Sequence, residues 1–313
     1  MFIDKLIESI GEKNNPTVVG LDPKLEYVPE FIREKAFKEY GVTLKGASQA
    51  ILQLNRQLID AIHDLVPAVK PQLAYYEMYG IEGMIAFDET CKYAKSKGLL
   101  VIADGKRNDI GATAEAYSKA YIGETALTAQ IKEKAFEVDA LTVSPYLGID
   151  GIKPFIDDCS SNGKGIFILV KTSNKSSGQL QDLVTQDCRS IYEIMATYVN
   201  EWGKNVTGKY GYSSVGAVVG ATYPNQAKLL RSIMKHVYIL VPGYGTQGGT
   251  ARDCVNNFNK DGLGAIVNAS RSVMCAYMSE NWKHQYSEEK FADASRAEVI
   301  RMKEDLNKAL SER

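Results

Sequence analysis

The residues with the clearest chemical potential lie in the segment Asp104–Asp109, which reads DGKRND. Asp104 and Lys106 are two positions apart, so their side chains should project on the same side if the chain is extended there. Carboxylates beside an ammonium group favour its charged form, which makes Lys106 a candidate proton donor held in a fixed place. A surface ion pair at a strand end, with Asp109 capping the next helix, fits the same spacing. The spacing alone does not separate these two interpretations.

The apolar run that precedes this segment predicts a buried parallel strand. Similar β-rich runs alternate with helical patterns along the chain. Eight strands are predicted, at Thr17–Asp22, Ala68–Leu73, Leu99–Asp104, Ala140–Ser144, Gly165–Thr172, Ser214–Ala221, Tyr238–Gly243 and Gly264–Ser270. Eight strand–helix units in 313 residues favour an α/β fold, a single (β/α)8 TIM barrel with loop insertions, over two doubly wound domains.

Helical patterns fill the intervals between these strands. They predict helices at Ser48–Val66, Gly80–Lys97, Ala112–Phe136, Asp182–Trp202, Asn225–Lys235, Thr250–Lys260 and Glu288–Leu310. Two segments exceed what a minimal barrel needs, Pro23–Ala47 and the polar, glycine-rich Gly203–Ser213. We expect residues 1–313 to form one barrel domain, with loop elaborations near 23–47 and 203–213.

Composition excludes several classes of protein. The 37 Lys and Arg residues balance 38 Asp and Glu residues, which gives no support for a nucleic-acid or membrane partner. The N-terminus does not resemble a signal peptide, and no apolar run approaches the ~20 residues of a membrane span. The five cysteines lack metal-ligand spacing and the three histidines are isolated, so we expect free thiols, no metal site and a cytoplasmic location.

Functional side chains of such a barrel lie at the carboxyl ends of its strands. Polar or charged residues occur at most of these ends. They are Asp22 after strand one, Lys70 in strand two, Asp104 and Lys106 after strand three, Lys171–Asn174 after strand five, Pro242–Gly249 after strand seven and Asn268–Arg271 after strand eight. Each has an ordinary structural explanation by itself, but together they predict a site.

The last two strand ends suggest a phosphate site. Glycines in Gly243–Gly249 allow backbone N–H groups to approach an anion, and Arg271 adds a fork of donors. A tight turn before the helix at Thr250 would also explain the glycines. The run matches G-x-G-x-x-G, but the next strand ends without the acidic residue that a dinucleotide site requires, so we reject NAD binding.

Taken together, these residues resemble those of the orotidine 5′-monophosphate decarboxylases, in particular the longer-chain branch with an Asp-x-Lys-Arg-x-Asp-Ile motif. The motif occupies Asp104–Thr113 and is the most specific feature. Weaker matches follow in family order over residues 17–275, at Leu21-Asp22, Lys70, Thr172–Asn174, Pro242–Gly249 and Arg271.

The resemblance implies decarboxylation of orotidine 5′-monophosphate to UMP, the last step of de novo pyrimidine nucleotide synthesis, without a metal or organic cofactor. Lys106 would protonate C6 of the pyrimidine as carbon dioxide leaves. Asp104 would lie beside the substrate carboxylate, and Lys70 would hold the charged groups in register. A homodimer is implied as well, because three residues would reach into the site of the second subunit. These residues are Asp109, Ile110 and Thr113.

Substrate contacts are implied in the same way. Asp22 would bind the ribose hydroxyls and Ser173 the pyrimidine edge. The implied phosphate and loop contacts are Gln247, Arg271, backbone N–H groups near Ser270, and Pro242 and Gly248. Most of the binding energy would then come from the ribose and phosphate, which do not react.

Three alternative functions share part of this pattern. A magnesium-dependent sugar-phosphate decarboxylase or aldolase of the same scaffold shares the Asp-x-Lys-x-x-Asp pattern, but it would want a further carboxylate where strand two offers Lys70. A Schiff-base aldolase needs a neutral amine, whereas carboxylates flank Lys106. A non-catalytic barrel that binds a phosphorylated ligand is disfavoured because every expected charged residue is present. The segment Lys175–Gly178 has no match and receives no role, although it could belong to a lid.

Overall fold

Eight parallel strands form a closed barrel, which confirms the predicted fold class. The computed structural model describes all residues, 1–313. The strands are β1 (Thr17–Leu21), β2 (Ala68–Pro71), β3 (Leu100–Arg107), β4 (Ala140–Val143), β5 (Gly165–Lys171), β6 (Ser213–Val219), β7 (Val237–Val241) and β8 (Ala265–Ala269). Each strand pairs with its neighbours in sequence, and β8 closes the barrel against β1. The predicted strands are confirmed to within a few residues at their ends.

Helices alternate with the strands. They are α1 (Phe2–Lys13), α2 (Glu30–Tyr40), α3 (Leu44–Ile62), α4 (Ala74–Glu77), α5 (Gly80–Ser96), α6 (Gly111–Tyr121), α7 (Lys153–Asn162), α8 (Gly178–Gln181), α9 (Ile191–Trp202), α10 (Pro224–Ile233), α11 (Ala251–Cys254), α12 (Arg271–Met274) and α13 (Phe291–Ser311). No helix combines the length and the hydropathy that a membrane crossing requires. All five cysteines are free thiols.

The helix predicted at Ala112–Phe136 is wrong in its second half. Helix α6 ends at Tyr121, and the chain then forms a short antiparallel hairpin of Thr125–Ala126 with Lys132–Glu133. The hydroxyl of Thr128 accepts hydrogen bonds from the backbone N–H groups of the two residues at 130 and 131. This local side-chain bond stabilises a turn in competition with the helix.

Two other helix predictions are too long. In Asp182–Trp202, the helix begins only at Ile191, where Ser190 and Glu193 form a reciprocal capping box. The predicted Thr250–Lys260 helix is reduced to α11 and one 3-10 turn. The two elaborations are also partly ordered, since residues 23–47 contain α2 and the start of α3, and residues 203–213 contain a 3-10 turn.

The interior of the barrel has two layers. In the lower layer, nearer the amino ends of the strands, the inward-facing residues are apolar and pack on α1. They include Val18, Ala68, Ile102, Ala140, Phe167, Tyr238 and Ile266. Phe2 of α1 meets Phe167 edge to face, with ring centroids 6.1 Å apart, and closes this end. Two residues further along each strand, on the same face, lies the upper layer, which contains Lys70, Asp104 and Thr142.

Candidate active site

A cavity of about 750 Å³ opens at the carboxyl ends of the strands, within the size range of ligand sites. Its charged side chains are four cations and two carboxylates, namely Lys24, Lys70, Lys106, Arg271, Asp22 and Asp104. The predicted residues Ser173, Pro242, Gln247 and Ser270 also line it. The excess of positive charge favours an anionic ligand.

Asp104 is the centre of the hydrogen-bond network in this cavity. Its Oδ2 accepts from Lys70 Nζ at 2.7 Å and from Gln72 Nε2 at 3.0 Å. Its Oδ1 accepts from Lys106 Nζ at 2.6 Å and from Thr142 Oγ1 at 2.8 Å. The predicted pairing of Asp104 with Lys106 is therefore present, and the carboxylate accepts four hydrogen bonds in all. Its position and orientation are fixed by three strands.

The charges of this cluster are mutually stabilising. Burial by itself raises the pKa of Asp104, but the ammonium groups of Lys70 and Lys106 outweigh it and hold the pKa well below its usual range. Burial likewise lowers the pKa of Lys70, yet the carboxylates of Asp104 and Asp22 reverse the effect and raise it. Both side chains are thus ionised across the neutral pH range. Asp22 Oδ1 lies 3.9 Å from Lys70 Nζ and is buried without a hydrogen-bond partner, while the Asp22 side chain as a whole is 27% exposed and lines the cavity.

The backbone of Lys106 is unusual. Its φ of 47° lies in the left-handed region, which costs a residue with a side chain about 1–2 kcal/mol. The pairing of β3 with β4 shifts register between Ala103 and Arg107, so that Lys106 lies within a bulge. Thr142 Oγ1 accepts the Lys106 N–H at 2.9 Å. The Lys106 side chain remains 46% exposed, towards the cavity, where a ligand can reach its ammonium group.

The loop after β7 is a glycine-dependent turn beside the cavity. Gly243, Gly245 and Gly248 all have positive φ, of 104°, 73° and 91°. The N–H of Gly248 donates to the Gly245 carbonyl, and Gly248 does not line the cavity. Gly248 therefore serves the turn itself rather than the cavity wall. Its contact with substrate stays a prediction. Gln247 and Arg271 do line the cavity, and their side-chain donors make no hydrogen bond within the chain.

The segment after β5 forms another wall. Ser173 packs so closely on Gly220 that a Cβ atom there would lie 2.8 Å from Ser173 Cα. The buried Lys171 binds Asp182 at 2.6 Å, and the Gln181 side chain exchanges two hydrogen bonds with Thr172. These bonds tie both ends of residues 171–182 together beside the cavity.

Besides Gly248, three predicted residues lie outside the cavity of this chain. Asp109 Oδ1 accepts the N–H of Ile110, the residue before α6 begins, and no side chain caps this helix, so the capping interpretation of Asp109 is wrong. The Ile110 side chain is 54% exposed, and Thr113 is exposed on the first turn of α6. A role for Asp109, Ile110 and Thr113 in this cavity thus requires a second chain.

Six polar cavity residues were not predicted as site residues from the sequence: Lys24, Tyr27, Gln72, Tyr75, Thr142 and Gln181. For Thr142 a signal was available, since it follows the inward-facing Ala140 by two positions in a predicted strand. Lys24 and Tyr27 lie in the elaboration after β1, whose path no local pattern reveals. No group of three or more His, Cys, Asp or Glu side chains is placed to hold a metal ion.

Known proteins are similar to this chain in both sequence and fold. A model of the orotidine 5′-phosphate decarboxylase / HUMPS family matches residues 18–282. The orotidine 5′-phosphate decarboxylase of Caldicellulosiruptor saccharolyticus is 43% identical over 310 residues, 99% of each chain. That of Rhodopirellula baltica is 43% identical over 305 residues, 97% of this chain and 98% of its own. The structure of Leishmania donovani OMP decarboxylase matches with a TM-score of 0.74 and 28% identity, over 99% of this chain and 98% of that one. The resemblance inferred from the motifs is confirmed, and the chain belongs to the orotidine 5′-phosphate decarboxylase / HUMPS family.

Proposed function

We propose that this protein decarboxylates orotidine 5′-monophosphate to UMP, the last step of de novo pyrimidine nucleotide synthesis. Family membership supports this activity. The observation that carries its chemistry is the Asp104 carboxylate held between the ammonium groups of Lys70 and Lys106, at 2.7 and 2.6 Å, in a cationic cavity. A substrate with a phosphate and a carboxylate complements that charge.

The reaction needs a proton at the carbon that loses carbon dioxide, and Lys106 is the group we assign to deliver it. Its ammonium group is half exposed to the cavity and anchored by Asp104. Asp104 would lie next to the substrate carboxylate, and Lys70 would keep Asp104 ionised while contacting Asp22. The carbanionic charge that develops as carbon dioxide departs would be stabilised by the adjacent ammonium.

Substrate binding is assigned to the surrounding loops. Asp22, whose side chain is 27% exposed and lines the cavity, is assigned to the ribose hydroxyls, and Ser173 lies at the wall for the pyrimidine edge. Arg271 and Gln247 project free donors from the loops after β8 and β7, where barrels of this type bind phosphate. Ser270 and Pro242 complete that end of the cavity.

Incubation of the purified protein with orotidine 5′-monophosphate tests the proposal directly. We expect loss of the orotate-type absorbance and formation of UMP, at the same rate with and without EDTA, and no turnover by Lys106→Ala. Activity that EDTA abolishes would instead favour the magnesium-dependent decarboxylase or aldolase. Tight UMP binding without turnover would favour a non-catalytic binding protein.

We also infer a homodimer with shared sites. Asp109, Ile110 and Thr113 do not line the cavity of their own chain, and exposed apolar side chains lie near Asp109. The loop after β4 packs against the backbone of Asp109, near Gly151, and this loop exposes Tyr146, Leu147 and Ile149 by 75%, 44% and 42%. Exposed apolar side chains grouped around a functional motif are typical of a subunit interface.

Co-expression of Lys106→Ala and Asp109→Ala subunits tests this sharing. In a two-fold symmetric dimer, each mixed dimer keeps one site with both groups intact, so we expect about a quarter of wild-type activity from random pairing. Each variant expressed alone serves as the control and should be nearly inactive. Absence of recovery in the mixture would contradict the action of Asp109 across the interface.

A single barrel domain and a cytoplasmic location complete the proposal. The elaborations at 23–47 and 203–213 lie in connections between strands of one barrel. Four of the five free cysteines are buried, which is compatible with a reducing compartment.

A further inference from the structure

We propose that Thr142 is a positioning residue for the proton donor. Its hydroxyl links the backbone of Lys106 to the carboxylate of Asp104 and so sets where the ammonium group points. The inference rests on the proposed decarboxylase function and adds a residue that acts through others, without touching the substrate itself.

The hydrogen-bond geometry determines what the Thr142 hydroxyl does. Its oxygen accepts the backbone N–H of Lys106 at 2.9 Å. Its single proton is then directed to an acceptor, and Asp104 Oδ1 lies 2.8 Å away. The threonine therefore both accepts and donates. From β4, the Thr142 hydroxyl therefore links the backbone of Lys106 to the carboxylate of Asp104, both of which belong to β3.

This bridge lies at the one place in β3 where the backbone departs from a regular strand. Lys106 has a φ of 47° inside the register shift between β3 and β4. A non-glycine residue stays in this conformation only when its surroundings hold it there. The bond from the Lys106 N–H to Thr142 is a direct restraint of that kind.

The same bridge also orients the carboxylate. Thr142 donates to Oδ1, the oxygen that binds Lys106 Nζ, whereas Lys70 and Gln72 donate to Oδ2. Removal of the hydroxyl would release the Lys106 backbone and one side of the carboxylate together. Misplacement of the ammonium by a fraction of an ångström then lowers the rate of proton transfer, which depends on geometry.

Burial keeps the Thr142 hydroxyl from a ligand, and its only proton is already donated to Asp104. The residue is 1% exposed, and its hydroxyl proton and an oxygen lone pair are both used within the protein. Its loss should therefore change catalysis more than binding. This distinguishes Thr142 from Arg271 and Asp22, whose free polar groups face the cavity.

The test compares Thr142→Val, which removes the hydroxyl and keeps the shape, with Thr142→Ser, which keeps the hydroxyl. The chain offers a matched control in Thr17→Val. Thr17 is also a fully buried strand threonine, but its hydroxyl has no partner. For each variant, kcat and KM for orotidine 5′-monophosphate and Kd for UMP are measured.

We expect Thr142→Val to lower kcat by about 10- to 100-fold, the range for loss of hydrogen bonds to a charged group. UMP affinity should stay within about twofold, Thr142→Ser should recover most of kcat, and Thr17→Val should behave as wild type. Wild-type kcat in Thr142→Val, an equal loss of UMP affinity, or failure of serine to rescue would each overturn the inference. An inactive wild-type protein would refute the proposed decarboxylase function instead, so the two failures are distinguishable.

Discussion

The two layers inside the barrel differ in character although the same strands build them. Ala68, Ile102 and Ala140 form part of an apolar lower layer that α1 seals. Two residues later, about 7 Å along the strands, Lys70 and Asp104 form the charged upper layer with Thr142. One step of the side-chain alternation therefore separates the residues that stabilise the fold from those assigned to the chemistry.

The energetics of the layers explain this separation. The lower layer gains free energy by removing apolar surface from water, at about 25 cal/mol per Å². The upper layer removes the charges of Lys70 and Asp104 from water, and their attraction at 2.7 Å serves mainly to offset that loss of hydration. We infer that the lower layer provides the stability that allows the upper layer to hold buried charges in a fixed arrangement.

The largest expected effect is the loss of kcat when a residue of the upper layer is replaced. Lys106→Ala should lower kcat by about a thousandfold or more, because a positioned general acid contributes about 10²–10⁴ and its loss also disturbs Asp104. Thermal unfolding should change little, since the lysine side chain is half exposed. Lys153→Ala is a control, because Lys153 also binds an aspartate at 2.6 Å but in an exposed pair on α7, outside the cavity. Substantial turnover by Lys106→Ala would remove this lysine from its assigned role.

A substitution that weakens the lower layer should instead reduce stability and leave kcat unchanged. Phe2→Ala should lower the free energy of unfolding by about 3–5 kcal/mol, because it opens a cavity between α1 and Phe167. Urea denaturation measures this loss, and kcat at 25 °C should stay near wild type. Phe31→Ala, at a 38% exposed position, should cost far less. A parallel loss of kcat in Phe2→Ala would show that the two layers are coupled.

A smaller effect is expected at the rim of the upper layer. Arg271→Ala should raise KM by about 10- to 100-fold, because its guanidinium can donate charge-assisted hydrogen bonds to a phosphate. The kcat value at saturation should fall less than KM rises. Arg252→Ala, at an 85% exposed arginine beyond the neighbouring loop, is the control. Unchanged KM would place the phosphate elsewhere.

The mildest expected change is the pH dependence of stability. An unfolded aspartate has a pKa of about 3.9, and the pKa of Asp104 in the fold is lower, owing to Lys70 and Lys106 acting against burial. The unfolded state therefore binds this proton first, so the stabilisation is complete above about pH 5 and is lost as the pH falls through 4 and below.

Asp104→Asn isolates that contribution. Between about pH 4 and 3, the free energy of unfolding of the wild type should fall more steeply than that of the variant, by up to about 1.4 kcal/mol per pH unit. Urea denaturation at each pH provides the comparison. Equal slopes would mean that the ion pairs around Asp104 contribute no acid-sensitive stability.

Features that depend on local alternation could be predicted from the sequence. The eight strands were identified because each is a short apolar run, and the pairing of Asp104 with Lys106 followed from their spacing. The helix predicted over Ala112–Phe136 failed because a side-chain turn at Thr128 competes with helical periodicity. The start of α9 could have been identified from the Ser190 and Glu193 capping box.

The sequence by itself determined the barrel, the face of each strand that turns inward and the presence of a charged rim, since these follow from residue type and a period of two. Only the tertiary structure decided which groups meet. It placed Thr142 between Lys106 and Asp104, brought Gln72 to the same carboxylate and left Asp109 outside the cavity. These contacts join residues of different strands, and their distances depend on register and on the bulge at Lys106, which no local pattern encodes.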